Sequence, residues 1–175
     1  MKKYLLLFAL IFVFYSYLSN SVVYSLKIPD KAIRIRIIPN SNSDFDQSMK
    51  LKVKEKLEIT IFDLLKNAST YDEARDIIKN NLNLIDKDID KVFADNNYDM
   101  DYSVNYGFNY FPSKEYKGIK YEEGYYESLL VTLGKGEGDN WWCVLFPPLC
   151  LIEGEESSEI EYKSFIKEIL EKYLS

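Results

Sequence analysis

The sequence predicts an α+β fold, a mainly antiparallel sheet of about four strands with helices covering one face. Three observations carry this. Ala32 to Ile38 and Met100 to Tyr110 alternate between apolar and polar residues, the period of a half-buried strand. The stretch between them, residues 44 to 95, repeats its apolar residues at helical spacing. Beyond them, Glu127 to Leu133 and Trp141 to Phe146 are short runs of β-branched, aliphatic and aromatic residues, the composition of buried strands. The order reads β-ααα-βββ-α, and strands grouped apart from helices favour helices on one face of a sheet.

Met1-Lys2-Lys3 is a short basic start, Tyr4 to Leu18 is uncharged and largely apolar, and Ser19-Asn20-Ser21 supplies small residues. This is the layout of a secretory signal. The apolar stretch is short for a spanning helix, which needs about 20 such residues. Adding Val22 to Leu26 makes an uncleaved anchor the other reading, and both put the rest of the chain outside the membrane. Residues 1–21 are thus a signal peptide or anchor, 22–31 a linker around Pro29, and 32–175 a single α+β domain.

In the first strand Ile33, Ile35 and Ile37 share one face, and Arg34 and Arg36 the other. The arginines read as a solvent face or as partners of helix acids. Pro39-Asn40-Ser41-Asn42-Ser43 is a turn of residues that bond their own backbone. Ser43 is a suitable N-cap, with Asp44 and Asp46 in a first turn where the helix dipole favours acids. The first helix carries the stripe Phe45, Met49, Val53, Leu57, Ile61, Leu64 and Leu65, widened by Phe62. Lys50, Lys52, Lys54, Glu55 and Lys56 read as its solvated surface. Thr70-Tyr71-Asp72-Glu73 has capping-box spacing and opens a short helix with Ala74, Ile77 and Ile78 inward. Leu82, Ile85, Ile89, Val92 and Phe93 mark a third helix, whose acids read as a solubilising face.

Tyr98 to Phe111 reads as a long strand, with Gly107 as a bending point. Pro112 ends it, and Ser113 to Gly124 is a charged loop. Glu127 to Leu133 follows, and Gly134 to Asp139 is expected to turn the chain back so that Trp141 to Phe146 pairs with it as an antiparallel hairpin. Pro147-Pro148 stops that strand, since neither residue can donate to a ladder. A last helix, capped by Ser157 or Ser158, carries Tyr162, Phe165, Ile166, Ile169, Leu170 and Tyr173 along one side.

Composition excludes several functions. The chain has 175 residues, 47% of them hydrophobic, with a net charge of −6 and no histidine. That apolar content supports one core. The acidic balance argues against nucleic acid, which needs a basic face to release counterions. Without histidine there is no Ser-His-Asp or Cys-His pair, and a zinc site would have only two cysteines and carboxylates. No catalytic residue, metal or cofactor is expected, and the chain reads as a non-enzyme. Export chemically permits a Cys143–Cys150 disulfide; two buried thiols are the other reading.

Functional interest centres on Gly134 to Cys150, which holds both tryptophans and both cysteines. Neighbouring side chains on a strand point to opposite faces, so Trp141 and Trp142 cannot share a core. One of them should face outward, the kind of aromatic anchor found at binding hot spots. A plain core strand is the alternative.

The order Asn140-Trp141-Trp142-Cys143-Val144-Leu145-Phe146-Pro147-Pro148-Leu149-Cys150 resembles the signature of the stage II sporulation protein R family. Ile33 to Ser43, with Asp46-Gln47 and Lys50 to Lys54, resembles its Arg-Ile/Leu-Arg strand, polar turn and helix start. Tyr110-Phe111-Pro112 and Tyr125 to Leu129 resemble its central segments. The similarity covers about residues 28–152. Pro39, Asn42 and Lys54-Glu55 depart from the usual residues and leave the details of the turn open. The resemblance implies an intercellular signal of sporulation, exported from the forespore into the intermembrane space, secreted or N-terminally anchored. There it would activate a membrane-embedded aspartic protease that removes the pro-sequence of the mother-cell sigma factor. It points to Asn140, Trp141, Trp142, Phe146, Pro147 and Pro148 as the partner contact or its scaffold, with Arg34, Arg36, Asn40 and Ser41 as a second matched segment. An exported cell-wall-binding module or wall hydrolase is the rival reading.

Overall fold

A computed structural model describes residues 31–116 and 119–149 together with positions 169, 172 and 173. The expected signal or anchor segment, residues 22–30 of the expected linker, Cys150, Leu151-Ile152 and most of the expected last helix lie outside the described residues. Ile169, Lys172 and Tyr173 are helical positions.

The chain opens with β1 (Ile33–Ile38) and continues through α1 (Asp44–Leu65), α2 (Tyr71–Asn80) and α3 (Leu82–Asp95). Then come β2 (Tyr102–Phe111), a small hairpin of β3 (Lys114–Tyr116) and β4 (Ile119–Tyr121), β5 (Gly124–Leu133) and β6 (Trp141–Phe146). The predicted caps form. Ser43 Oγ accepts from the Asp46 amide, and Thr70 Oγ1 from the Glu73 amide. The Glu73 carboxylate reaches back to the Ser69 amide at 2.9 Å.

The main sheet has the order β2-β5-β1-β6 and is mixed. β1 runs parallel to β5 and antiparallel to β6, while β2 and β5 form an antiparallel ribbon whose register runs unbroken across Gly107. The expected β5–β6 hairpin does not exist, because β1 lies between the two strands. The reason is in the sequence of β1, whose two faces both find a core. Ile33, Ile35 and Ile37 join Leu129, Val131 and Leu133 of β5 under Met49, Val53 and Leu57 of α1, Ile78 of α2 and Ile85 and Ile89 of α3. Arg34 is equally withdrawn from water on the opposite face. A strand buried on both sides belongs at the centre of a sheet, so the glycine turn must cross over its end.

The reading of Arg34 as solvent-facing is therefore overturned. Its guanidinium stacks 3.3 Å from the centre of the Tyr126 ring, with Phe111 and Trp142 beyond. Phe111 ends β2 and Trp142 is the second residue of β6, on opposite edges of a sheet in which three strand spacings separate them by about 14 Å. Their rings nevertheless lie 5.7 Å apart. The far end of the β2–β5 ribbon must curl over the face away from the helices, where Phe111, Tyr121, Trp142, Val144 and Leu149 form a second core. The region expected as a charged loop thus carries the β3–β4 hairpin as part of this cover.

Four further expectations fail locally. Phe45 and Phe62 are exposed rather than part of the α1 stripe, because the buried row Met49-Val53-Leu57-Ile61 already fills the width that faces the sheet. Lys50 is buried, since Gln47 and the Asp139 carbonyl take up its donors. Asp88 of α3 is buried too, against Thr60 and Lys56 of α1. Finally, β2 begins at Tyr102 rather than Tyr98. Asn97, at φ 50°, turns the chain after α3, and Tyr98 folds inward instead of joining the sheet.

Candidate partner-binding site

The fold brings the polar turn after β1 and the glycine loop before β6 to one end of the sheet. The turn is built around Asp46, buried at the start of α1. Its Oδ2 accepts from Asn40 Nδ2 at 2.9 Å and from Ser41 Oγ at 2.6 Å, and its Oδ1 from the Tyr98 hydroxyl at 2.6 Å. Burial pushes this carboxyl up, but the bonds from Ser41, Tyr98, Asn40 and Ser43 outweigh burial and hold it at about 2. Burial and the same bond push the Tyr98 hydroxyl up, so Tyr98 keeps its proton and stays a donor.

The turn then holds the loop. Asn40 Oδ1 accepts from the Lys135 amide at 3.0 Å, and Asn42 Oδ1 from the Asp139 amide at 2.6 Å. The amides of Glu137 and Gly138 donate to the carbonyls of Asn40 and Pro39 at 3.2 and 3.1 Å. From α1, Lys50 Nζ donates to the Asp139 carbonyl at 2.9 Å and to Gln47 Oε1 at 2.5 Å. Burial lowers the Lys50 ammonium and the nearby Asp139 charge opposes this.

Two glycines make this fit possible. Gly134 has φ +56°, and a Cβ there would lie 2.4 Å from Asn40 Oδ1. At Gly138 a Cβ would meet the Ser41 carbonyl oxygen at 2.2 Å, so only a bare backbone passes.

From this loop the chain enters β6, and the two tryptophans part as strand geometry requires. Trp141 is half-buried on the helix side, its ring 5.2 Å from Lys54 Nζ. Trp142 is buried on the other face between Phe111 and Tyr121. Phe146 belongs to the main core, its ring 5.2 Å from that of Tyr173. Pro147 is buried and Pro148 half-buried. Cys143 is a half-buried thiol whose Sγ lies 3.9 Å from the Val144 carbonyl. The disulfide reading involves Cys150 and so lies outside the described residues. Arg36 is half-buried and donates to the Tyr110 carbonyl at 3.0 Å.

Of the residues singled out in the sequence, Asn40, Ser41 and Asn140 meet at this end of the sheet. Trp142, Phe146 and Arg34 lie in packed interiors and can act only by positioning others. Asn42, Lys135, Glu137 and Asp139 present exposed side chains beside the half-buried Asn140 and Trp141. Sequence reasoning did not find the structural roles of Asp46, Gln47 and Lys50, although their spacing after a polar turn was visible. Tyr98 gave no signal, because its partner is far away in sequence. Among the described residues no group of three histidine, cysteine, aspartate or glutamate side chains is placed to hold a metal ion.

Comparison with known proteins bears on these same segments. Residues 29–156 match the family model described as stage II sporulation protein R. The chain is 39% identical over 150 residues to the stage II sporulation protein R of Bacillus subtilis (strain 168), covering 84% of this chain and 67% of that protein. No solved structure matches the chain. The match spans both the turn after β1 and the whole of β6, and at this identity and coverage the chain belongs to the stage II sporulation protein R family.

Proposed function

We propose that the chain is an exported intercellular signal of sporulation that activates a membrane-embedded aspartic protease, which then removes the pro-sequence of the mother-cell sigma factor. It acts without catalysis of its own, by binding the active state of the protease more tightly than the inactive one. Its N-terminal segment directs it from the forespore into the intermembrane space, as a cleaved signal or an anchor. The observation that supports a contact at the β1-turn and glycine-loop end is their interlocking. Two segments distant in sequence are fixed to each other by backbone and side-chain bonds, and they present Lys135, Glu137, Asp139, Asn140 and Trp141 together. Such a pre-organised surface loses little entropy on binding. Trp142, Phe146, Pro147 and Pro148 serve as the scaffold behind it.

The test is co-expression of the exported chain, the cognate protease and the sigma-factor precursor in a non-sporulating host, with precursor processing followed on a gel. Processing should appear only when the chain is present and exported. Trp141→Ala, half-buried and on the surface of the helix side, should retain the fold by circular dichroism and reduce processing at least tenfold. Full processing by this folded variant removes Trp141 from the contact. No processing with the wild-type chain sinks the activator reading itself.

A further inference from the structure

The outer edge of β2 carries an unusual combination. β2 ends the sheet order, and among the described residues its only strand neighbour is β5. It is ten residues long and reads Tyr-Ser-Val-Asn-Tyr-Gly-Phe-Asn-Tyr-Phe, with no charge and no proline. Natural edge strands are normally kept apart by charges, prolines, bulges or shortness, and β2 has none of these protections. The opposite edge is different: β6 is six residues long and runs directly into Pro147-Pro148.

The side chains along this edge are also unusually bare. Phe108, Tyr110 and Tyr125 are 71%, 45% and 73% exposed. Tyr110 and Tyr125 are cross-strand partners whose rings touch edge-on at 5.6 Å.

The strand is a near-palindrome about Tyr106. Tyr102 mirrors Tyr110, Ser103 mirrors Asn109, Val104 mirrors Phe108 and Asn105 mirrors Gly107. An antiparallel pair of two such strands about a two-fold axis at Tyr106 would set aromatic against aromatic, valine against phenylalanine, serine against asparagine and Asn105 against the bare Gly107. In a chain of net charge −6, a neutral ten-residue edge is where two copies can meet without like charges opposed. The Tyr110 carbonyl already accepts from Arg36, but a carbonyl oxygen has a second lone pair to offer.

We infer that β2 is a self-association edge, pairing antiparallel with β2 of a second copy of this chain to make a continuous eight-stranded sheet, an isologous contact. This does not rest on the proposed protease activation.

The test is sedimentation equilibrium of the chain as exported by the expressing cell, over a dilution series. The wild-type chain should reach twice its monomer mass. Asn105→Lys places two lysines diagonally across the axis, about 7–8 Å apart, and Phe108→Lys sets a charge against the partner's valine. Both positions are exposed, so both variants should keep the circular dichroism of the folded chain while halving the mass to that of a monomer, and their thermal midpoint should lose the concentration dependence that a dimer confers. A wild-type chain that stays monomeric at every concentration overturns the assignment and leaves the edge to a strand of another polypeptide. A dimer that survives both lysines overturns it too, placing the contact elsewhere.

Discussion

Asp46 and Glu127 are both 5% exposed, yet they are satisfied in different ways. Asp46 accepts from two hydroxyls and an amide, all neutral, from the turn and from Tyr98. Glu127 on β5 faces a cation: Arg75 of α2 donates to it through Nε at 2.8 Å and Nη2 at 3.0 Å, and Tyr71 adds a hydroxyl bond. Burial pushes the Glu127 carboxyl up, and Arg75 and Tyr71 more than reverse it, leaving the carboxyl below its usual range. The Glu127 bond in turn raises the Arg75 guanidinium. A carboxylate held by neutral donors depends on every donor being aimed at it, whereas an ion pair with a half-exposed arginine tolerates displacement and is shared with solvent. The first kind of centre locks geometry, and it lies where the two family-matched segments meet. The second fastens a helix to a sheet.

This contrast is most directly broken at Asp46. Asp46→Ala leaves the Tyr98 hydroxyl, the Asn40 amide and Ser41 without their acceptor, and should cost about 3 kcal/mol in urea unfolding. Asp46→Asn is isosteric but turns donors toward donors, and should cost nearly as much. If it is neutral, the centre is not the acceptor-only site described. Gly138→Ala attacks the same junction from the loop side. A Cβ 2.2 Å from the Ser41 carbonyl must push the loop off the turn, at about 2 kcal/mol, and hydrogen exchange at the Asp139 amide should rise while that of β5 stays unchanged. Glu127→Gln loses the charge and one accepting oxygen, but its remaining oxygen can still serve Tyr71 and Arg75 Nη2, and Arg75 is partly solvated. About 1 kcal/mol is expected, shrinking further at high salt. A larger loss than at Asp46→Asn would reverse the comparison.

Acid sharpens it least invasively, since it removes charge and leaves all heavy atoms in place. Both carboxyls have folded values below their unfolded ones, so each contributes stability that is full above the ordinary carboxylate range and is lost as pH falls through it. For Asp46 the loss should run from about pH 4 to about pH 2. The Asp46→Asn variant should lack that part of the pH dependence when unfolding free energies are followed between pH 7 and 2.

The elements themselves were legible locally. The period of two in Ile33 to Ile38, the four-residue row of α1, the Ser43 and Thr70 caps and the limits of β6 are set by neighbours a few residues away, and the chain supplies those neighbours. The family was legible as well, because Asn140 to Cys150 carries rare residue types in a fixed order. What the sequence could not disclose is pairing. A glycine turn between two strand-like runs suggests a hairpin, and nothing within that stretch records that β1 will enter between them. That depends on a strand a hundred residues earlier having two buried faces, one of isoleucines and one with an arginine stacked on Tyr126. The burial of Asp46, Lys50 and Arg34 was hidden for the same reason. A charge enters an interior only when its partners arrive, and those partners, Tyr98, the Asp139 carbonyl and Tyr126, come from elements far along the chain. Local propensity fixed which segments became helix or strand; the tertiary structure alone decided their neighbours, and through them which polar residues became the frame of the site.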